Sequence, residues 1–224
     1  MTLATVPLKL AVFDCDGTLV DGQGAVVKAM HEAFAASGLS APDAGQVRRI
    51  VGLSLPQAVM RLAPMADAEQ VRLTVAEYKA AYRAARASGE LSEPLFDGIP
   101  EVLDALAAAG WTMGVATGKS LRGLTHCLAG HGLSGHFVTL QTADHHPSKP
   151  HPAMLEAALA EAFAEPEQAV MIGDTAFDMA MAVSAGVRAV GVAWGYHGAA
   201  ELIGAGAAYV AETPQDLLEY LIDG

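Results

Sequence analysis

Six short apolar runs punctuate the chain: Lys9 to Phe13, Trp111 to Ala116, Phe137 to Leu140, Ala169 to Ile172, Ala189 to Ala193 and a weaker one near Ala208 to Ala211. Between the later ones lie Pro100 to Ala109, Ser120 to Leu128, Pro152 to Phe163, Ala176 to Ala185 and Ala199 to Ile203, each rich in Ala, Leu or Met at helical spacing. Short strands alternating with helices imply an α/β fold with a parallel sheet covered on both faces, because parallel neighbours need crossover connections and the crossover helices bury the sheet. Gly110 and Gly186, just past two of the helical stretches, suit helix C-caps.

The first connection breaks this rhythm. Roughly ninety residues separate Phe13 from Trp111, far more than a simple crossover needs. Within that interval Ala25 to Ser37, Ala44 to Val51, Leu55 to Leu62 and Ala68 to Ala87 read as helices, with Gly38, Gly52 and Pro64 as breaks. The expected division is a core of residues 1–20 and 94–224 and a small helical cap of residues 21–93 inserted after the first strand. Val75, Tyr78 and Tyr82 recur at spacings of three and four and are expected to be bundle core.

The first apolar run ends in Asp14-Cys15-Asp16-Gly17-Thr18, two carboxylates and a turn where a buried strand should stop. Residues i and i+2 of a strand share a face, so a strand continued through this segment would bring Asp14 and Asp16 together. Two like charges about 4 Å apart repel by roughly 4 kcal/mol at an effective dielectric near 20. A divalent cation removes that repulsion, whereas raised pKa values only evade it, and magnesium is the expected cation. The plainer alternative is a polar strand end with an Asp-Gly turn. Ligands of open α/β sheets bind beyond the carboxyl ends of the strands, so the other ends bear on the choice. The second run ends in Thr117-Gly118-Lys119, the fourth in Gly173-Asp174 with Asp178 four residues on, and Ser148-Lys149-Pro150 precedes the fourth.

Taken in order, these segments resemble the four motifs of the haloacid dehalogenase-like hydrolase superfamily. Asp14-Cys15-Asp16-Gly17-Thr18 matches the first, Thr117 the second, Lys149 the third and Gly173-Asp174-Thr175-Ala176-Phe177-Asp178 the fourth. The likeness spans essentially the whole chain, and the helical insertion sits where that family carries its type-one cap. It implies a Rossmann-like core and a Mg²⁺-dependent phosphatase that hydrolyses a small phosphomonoester through an aspartyl-phosphate. Asp14 is then the nucleophile, and Asp16 protonates the leaving oxygen and later deprotonates water. Asp14, the backbone carbonyl of Asp16 and Asp174 supply the hard oxygen ligands that magnesium prefers. Thr117, Gly118 and Lys149 bind the phosphoryl group, whose negative charge must be offset while the attack is held in line. Asp178 falls in the metal shell, orienting water or Lys149; an ordinary helix N-terminal carboxylate is the alternative.

Within the superfamily, relatives that displace halide lack a second aspartate such as Asp16. Leu53-Ser54-Leu55 stands where phosphonate-cleaving relatives carry a cap lysine and sugar-phosphate mutases an arginine. The Val51 to Leu55 loop and Lys149-Pro150-His151-Pro152 look most like the phosphoglycolate phosphatase branch, which implies phosphoglycolate or a similar small ester as substrate. Arg49 or its neighbour Arg48 is the candidate for a substrate carboxylate, with Gly52 and Leu53 as further cap contacts. A phosphomutase of the same family and a non-enzymatic phospho-accepting receiver domain are the alternatives.

Composition narrows the partners. A net charge of -12 with only 13 Lys plus Arg among 224 residues argues against nucleic acid, whose binding relies on clustered basic side chains; a small phosphorylated metabolite remains. Cys15 and Cys127 form neither a disulfide framework nor a zinc spacing, and Cys15, between two acids, is expected to be a small buried filler. His145, His146 and His151 lack a ligand-spaced partner and are expected in an exposed loop. Met1 to Pro7 has no secretory layout, and the longest stretch free of Asp, Glu, Lys and Arg, Gly123 to Ala143, holds three His and four Gly, poor material for a membrane span. A cytoplasmic monomer or homodimer is expected.

Overall fold

The computed structural model describes residues 8–223, so the reading of Met1 to Pro7 falls outside it. Its strands are β1 (Leu10–Phe13), β2 (Thr112–Thr117), β3 (Thr139–Thr142), β4 (Ala169–Gly173), β5 (Arg188–Val192) and β6 (Tyr209–Ala211). Its α-helices are α1 (Gln23–Ala36), α2 (Ala44–Arg48), α3 (Leu55–Leu62), α4 (Ala68–Ser88), α5 (Ile99–Ala108), α6 (Leu121–Gly130), α7 (Ala153–Ala162), α8 (Ala176–Ser184), α9 (Ala199–Gly204) and α10 (Pro214–Asp223). The strands form one parallel sheet in the order β3-β2-β1-β4-β5-β6. The chain therefore reverses its direction of growth between β1 and β4, the place where sheets of this type bind ligands.

Both faces of the sheet are covered, which is why β1 is apolar at every position. Ala11 and Phe13 pack toward α5, α6 and α10, whereas Leu10 and Val12 pack toward α7, α8 and α9. Phe13 is in register with Val115 of β2 and Ile172 of β4. The Asp14 N–H adds one more bond, 2.8 Å to the Ile172 carbonyl, before the strand gives way to a turn. Every strand and crossover helix anticipated from the sequence is present with small shifts at the ends, and α10 is an addition. Pro214 opens that helix, and Leu217 and Leu221, four apart, bury one stripe of it.

Helices α1 to α4 lie between β1 and β2 and share a third buried cluster built on Val26, Met30, Phe34, Val47 and Val59. Helix α4 is defined at both ends. Asp67 and Gln70 cap each other's backbone, and Gly89 closes the helix in the left-handed region. Helix α2 is shorter than expected: it stops at Arg48, and the chain turns through Gly52 at φ +93° before α3 begins. Among the described residues no helix is long and apolar enough to cross a membrane.

Candidate active site

The turn after β1 sets the site. The Cys15 carbonyl accepts from the N–H groups of Thr18, Leu19 and Val20, and Gly17 holds φ +91° at a point where a Cβ would run into the Asp174 carboxylate. This turn, rather than a continued strand, gives Asp14 and Asp16 different partners, though the Asp16 charge still helps to raise the Asp14 carboxyl. Asp14 meets acids from β4 and α8: one oxygen each from Asp14, Asp174 and Asp178 lie within 4.8 Å of one another.

Each of these carboxylates is fixed by the fold, and all three are fully buried. Asp14 Oδ1 accepts from the Cys15 N–H at 2.7 Å and lies 3.0 Å from Lys149 Nζ. Lys149 also donates to Asp178 Oδ1 at 2.5 Å, and Asp178 Oδ2 accepts from the Thr175 N–H and hydroxyl. Asp174 accepts from the Thr18 hydroxyl at 2.9 Å and the Tyr196 N–H at 2.9 Å. Asp178, expected in the metal shell orienting water or Lys149, is thus a member of the cluster and shares Lys149 with Asp14.

Burial pushes the Asp14 carboxyl up to about 7, with Lys149 pulling the other way. Burial, then Asp14 and Asp178, hold Asp174 well above the usual carboxylate range. For Lys149 burial disfavours the charge, but Asp14 and Asp178 outweigh it and keep the amine protonated. One lysine thus faces three acids, and Asp14 Oδ2 is buried without a hydrogen-bond partner. Hard oxygens, excess negative charge and an orphaned carboxylate oxygen fit a magnesium ion and no thiolate- or imidazole-loving metal.

Asp16 belongs to a second network that the sequence did not reveal. Lys119 Nζ donates to both of its oxygens, at 2.8 and 3.0 Å, and to Glu93 Oε1 at 2.7 Å. Lys119 also sits 5.7 Å above the ring of Tyr82, which stacks on Tyr78. Thr117 is buried beside this group, and its hydroxyl accepts from the Lys119 N–H.

The family model of the haloacid dehalogenase-like hydrolases matches residues 11–192. The chain belongs to this family. Among the relatives of this haloacid dehalogenase-like hydrolase are a probable phosphatase, IndB, of Dickeya dadantii, 35% identical over 84% of the chain and 82% of the relative, and a phosphoglycolate phosphatase of Rhodospirillum rubrum, 32% identical over 84% and 80%. A protein named tyrosine-protein kinase PtkA, from Mycobacterium tuberculosis, is 32% identical over 84% of the chain, which spans 63% of that longer protein. A crystal structure of a hydrolase from Pseudomonas syringae superposes with a TM-score of 0.85 at 27% identity, covering 96% of this chain and 98% of that one.

In this haloacid dehalogenase-like chain the helical insertion roofs the site. Gly118 lies against the carbonyls of Gly52 and Leu53, each 2.6 Å from where a Cβ would sit, so only glycine lets the two backbones approach. The Ser54 N–H donates to the Ser148 hydroxyl at 2.8 Å, beside Lys149. Buried His197 completes the link: its Nδ1 accepts from the Ala176 N–H, and its Nε2 donates to the Arg49 carbonyl at 3.2 Å. A cavity of about 500 Å³ opens between α4, the 50–56 segment and the start of α6, with Asp16, Thr117 and Gly118 in its wall.

Gly52 and Leu53, the expected cap contacts to substrate, line this cavity, but Arg49 does not. Its guanidinium pairs with Glu201 at 2.8 Å on the outer surface, a partner 152 residues away. Arg48 is exposed and lies outside the cavity as well. Tyr78 and Tyr82, expected to be bundle core only, also line it. His145 and His151 are exposed as expected, whereas His146 is half-buried against Gln141. Cys15 and Cys127 are both buried and free.

Proposed function

We propose that the chain is a Mg²⁺-dependent phosphomonoesterase of small phosphorylated metabolites, acting through a covalent phosphoryl group on Asp14. One observation carries this reading: a fully buried Asp14 whose Oδ1 is held by Lys149 and the Cys15 N–H and whose Oδ2 has no partner, beside two further acids. The phosphatase relatives support it. The residues that would hold Mg²⁺ are Asp14, Asp174 and the Asp16 backbone carbonyl, and the ion supplies positive charge that lowers the repulsion between carboxylate and phosphate dianion.

Asp14 attacks phosphorus in line while Thr117, the Gly118 backbone and Lys149 hold the phosphoryl oxygens. The ester P–O bond breaks as Asp16 gives its proton to the leaving oxygen. Water then attacks the aspartyl-phosphate and loses its proton to Asp16, releasing phosphate and restoring Asp14. Asp178 acts through Lys149, whose ammonium it fixes. The helical insertion serves as a cap that shuts out bulk water.

Incubation with p-nitrophenyl phosphate and Mg²⁺ tests the reading. Many turnovers per chain are expected; a single stoichiometric phosphorylation would point to a receiver instead. Asp14→Asn should abolish turnover with its melting temperature retained, and Asp16→Asn should still bind Mg²⁺ but turn over very slowly. Wild-type rates in either variant overturn the assignment.

A further inference from the structure

The outer wall of the cavity carries charge that phosphoryl transfer does not use. Lys79, Arg83 and Arg86 of α4 and Arg122 of α6 line it, in a chain whose 25 acidic residues outnumber its 13 basic ones. On α4 the three cations recur at i, i+4 and i+7, one face of the helix, alongside the Tyr78 and Tyr82 stripe. Lys28, Arg49 and Arg72 are paired, with Glu90, Glu201 and Glu69, whereas the exposed Lys9, Arg48, Arg61 and Arg188 stand apart from one another and outside the cavity. Among the described residues none of the four cavity cations has an acidic partner within 4.0 Å.

The cavity's acids do not answer them. Asp16 is already engaged by Lys119, and Asp144 accepts from the Leu121 N–H. The transferred phosphate is provided for deeper in the molecule, by Lys149 and the carboxylate cluster. Met30, Ile50 and Tyr78 add apolar surface to the same cavity wall. A volume near 500 Å³ is of the size that holds a drug-sized ligand, more than a two-carbon acid fills.

Resting on the phosphatase reading, we propose that the substrate is a phosphomonoester whose leaving group has an apolar or planar body and ends in a second anionic group. Arg83, Arg86 and Arg122 bind that distal carboxylate or phosphate. Guanidinium groups suit both anions through paired N–H donors. The Tyr78 ring offers the intervening body a flat surface.

The test compares kcat/KM for phenyl phosphate, 4-carboxyphenyl phosphate, 1,4-phenylene bisphosphate and phosphoglycolate, using the full chain with Mg²⁺. The long dianionic substrates are expected to exceed phenyl phosphate on the order of tenfold, the scale of a charge-assisted hydrogen bond, and to exceed phosphoglycolate. Whichever of the two is better identifies the distal anion. In Arg83→Ala and Arg122→Ala the ratio of 4-carboxyphenyl to phenyl phosphate should fall toward one. Arg72→Ala, on the same helix but outside the cavity, should leave that ratio unchanged.

Equal rates for all four esters, phosphoglycolate as the best substrate, or an equal loss for charged and uncharged leaving groups in the variants would overturn the proposal. Equilibrium binding of 4-(phosphonomethyl)benzoate against benzylphosphonate makes the same comparison without turnover. Failure to hydrolyse any ester therefore refutes the phosphatase reading alone, while equal affinity for the two phosphonates refutes the distal subsite.

Discussion

Lys149 illustrates how much one side chain carries. Its ammonium is fully buried between Asp14 and Asp178, so removing it leaves two carboxylates facing each other without compensation. Breaking a buried ion pair from one side costs about 3–5 kcal/mol, and Lys149→Met should lose stability on that scale in denaturant unfolding at pH 8. The loss should shrink at pH 5, where Asp14, whose carboxyl is pushed up to about 7, can take up a proton; equal losses at both pH values would contradict the account. Asp14 and Asp174 were legible because charge at the end of an apolar run is a local anomaly, and Lys149 through its likeness to the family's third motif. Lys119 was not, since its partner Glu93 lies 26 residues away and Asp16 lies 103 away. Arg49 misled for the same reason: nothing local shows that Glu201 neutralises it.

At the level of elements, periodicity identified the strands and helices but not what covers each face. The Tyr78 and Tyr82 stripe of α4 has the i, i+4 spacing of core packing, and only the position of α6 and Lys119 turns it into cavity wall. Helix α2 ends early because the 49–53 segment must bend down over the sheet, and it does so at Gly52. The meeting of this segment with Gly118 is backbone against backbone, where a methyl group has nowhere to go. Gly118→Ala is expected to keep the circular dichroism of the wild type, because the clash lies between the insertion and the sheet rather than inside either. It should lower kcat/KM by ~100-fold, the effect of displacing a positioning contact by about 1 Å. Wild-type kinetics in this variant would show that the close approach is dispensable.

Across the whole molecule, the proposed metal site would couple metal, proton and stability through the acidic cluster. Without Mg²⁺ the folded chain keeps a proton on Asp14 that the unfolded chain releases, because burial raises this carboxyl from 3.8 to about 7. Its contribution to stability is complete below the unfolded value and is lost as pH rises through the folded one. On the proposed reading magnesium would bind the deprotonated cluster and so offset that loss. The difference in melting temperature between saturating Mg²⁺ and a chelator should therefore widen from pH 5 to about pH 7 and level off beyond; a difference that is flat with pH would argue against Asp14 as a ligand.

The central place of β1, bonded on one side to β2 and on the other to β4, gives this enzyme family member an uneven rigidity. Amide protons of β1 are expected to exchange with solvent only when the sheet itself comes apart, whereas Ser54 is tied to the sheet-bearing half through Ser148 and Arg49 through His197 and the surface carboxylate of Glu201. On the phosphatase reading, the covering segment is expected to loosen well before the strand that carries Asp14 does.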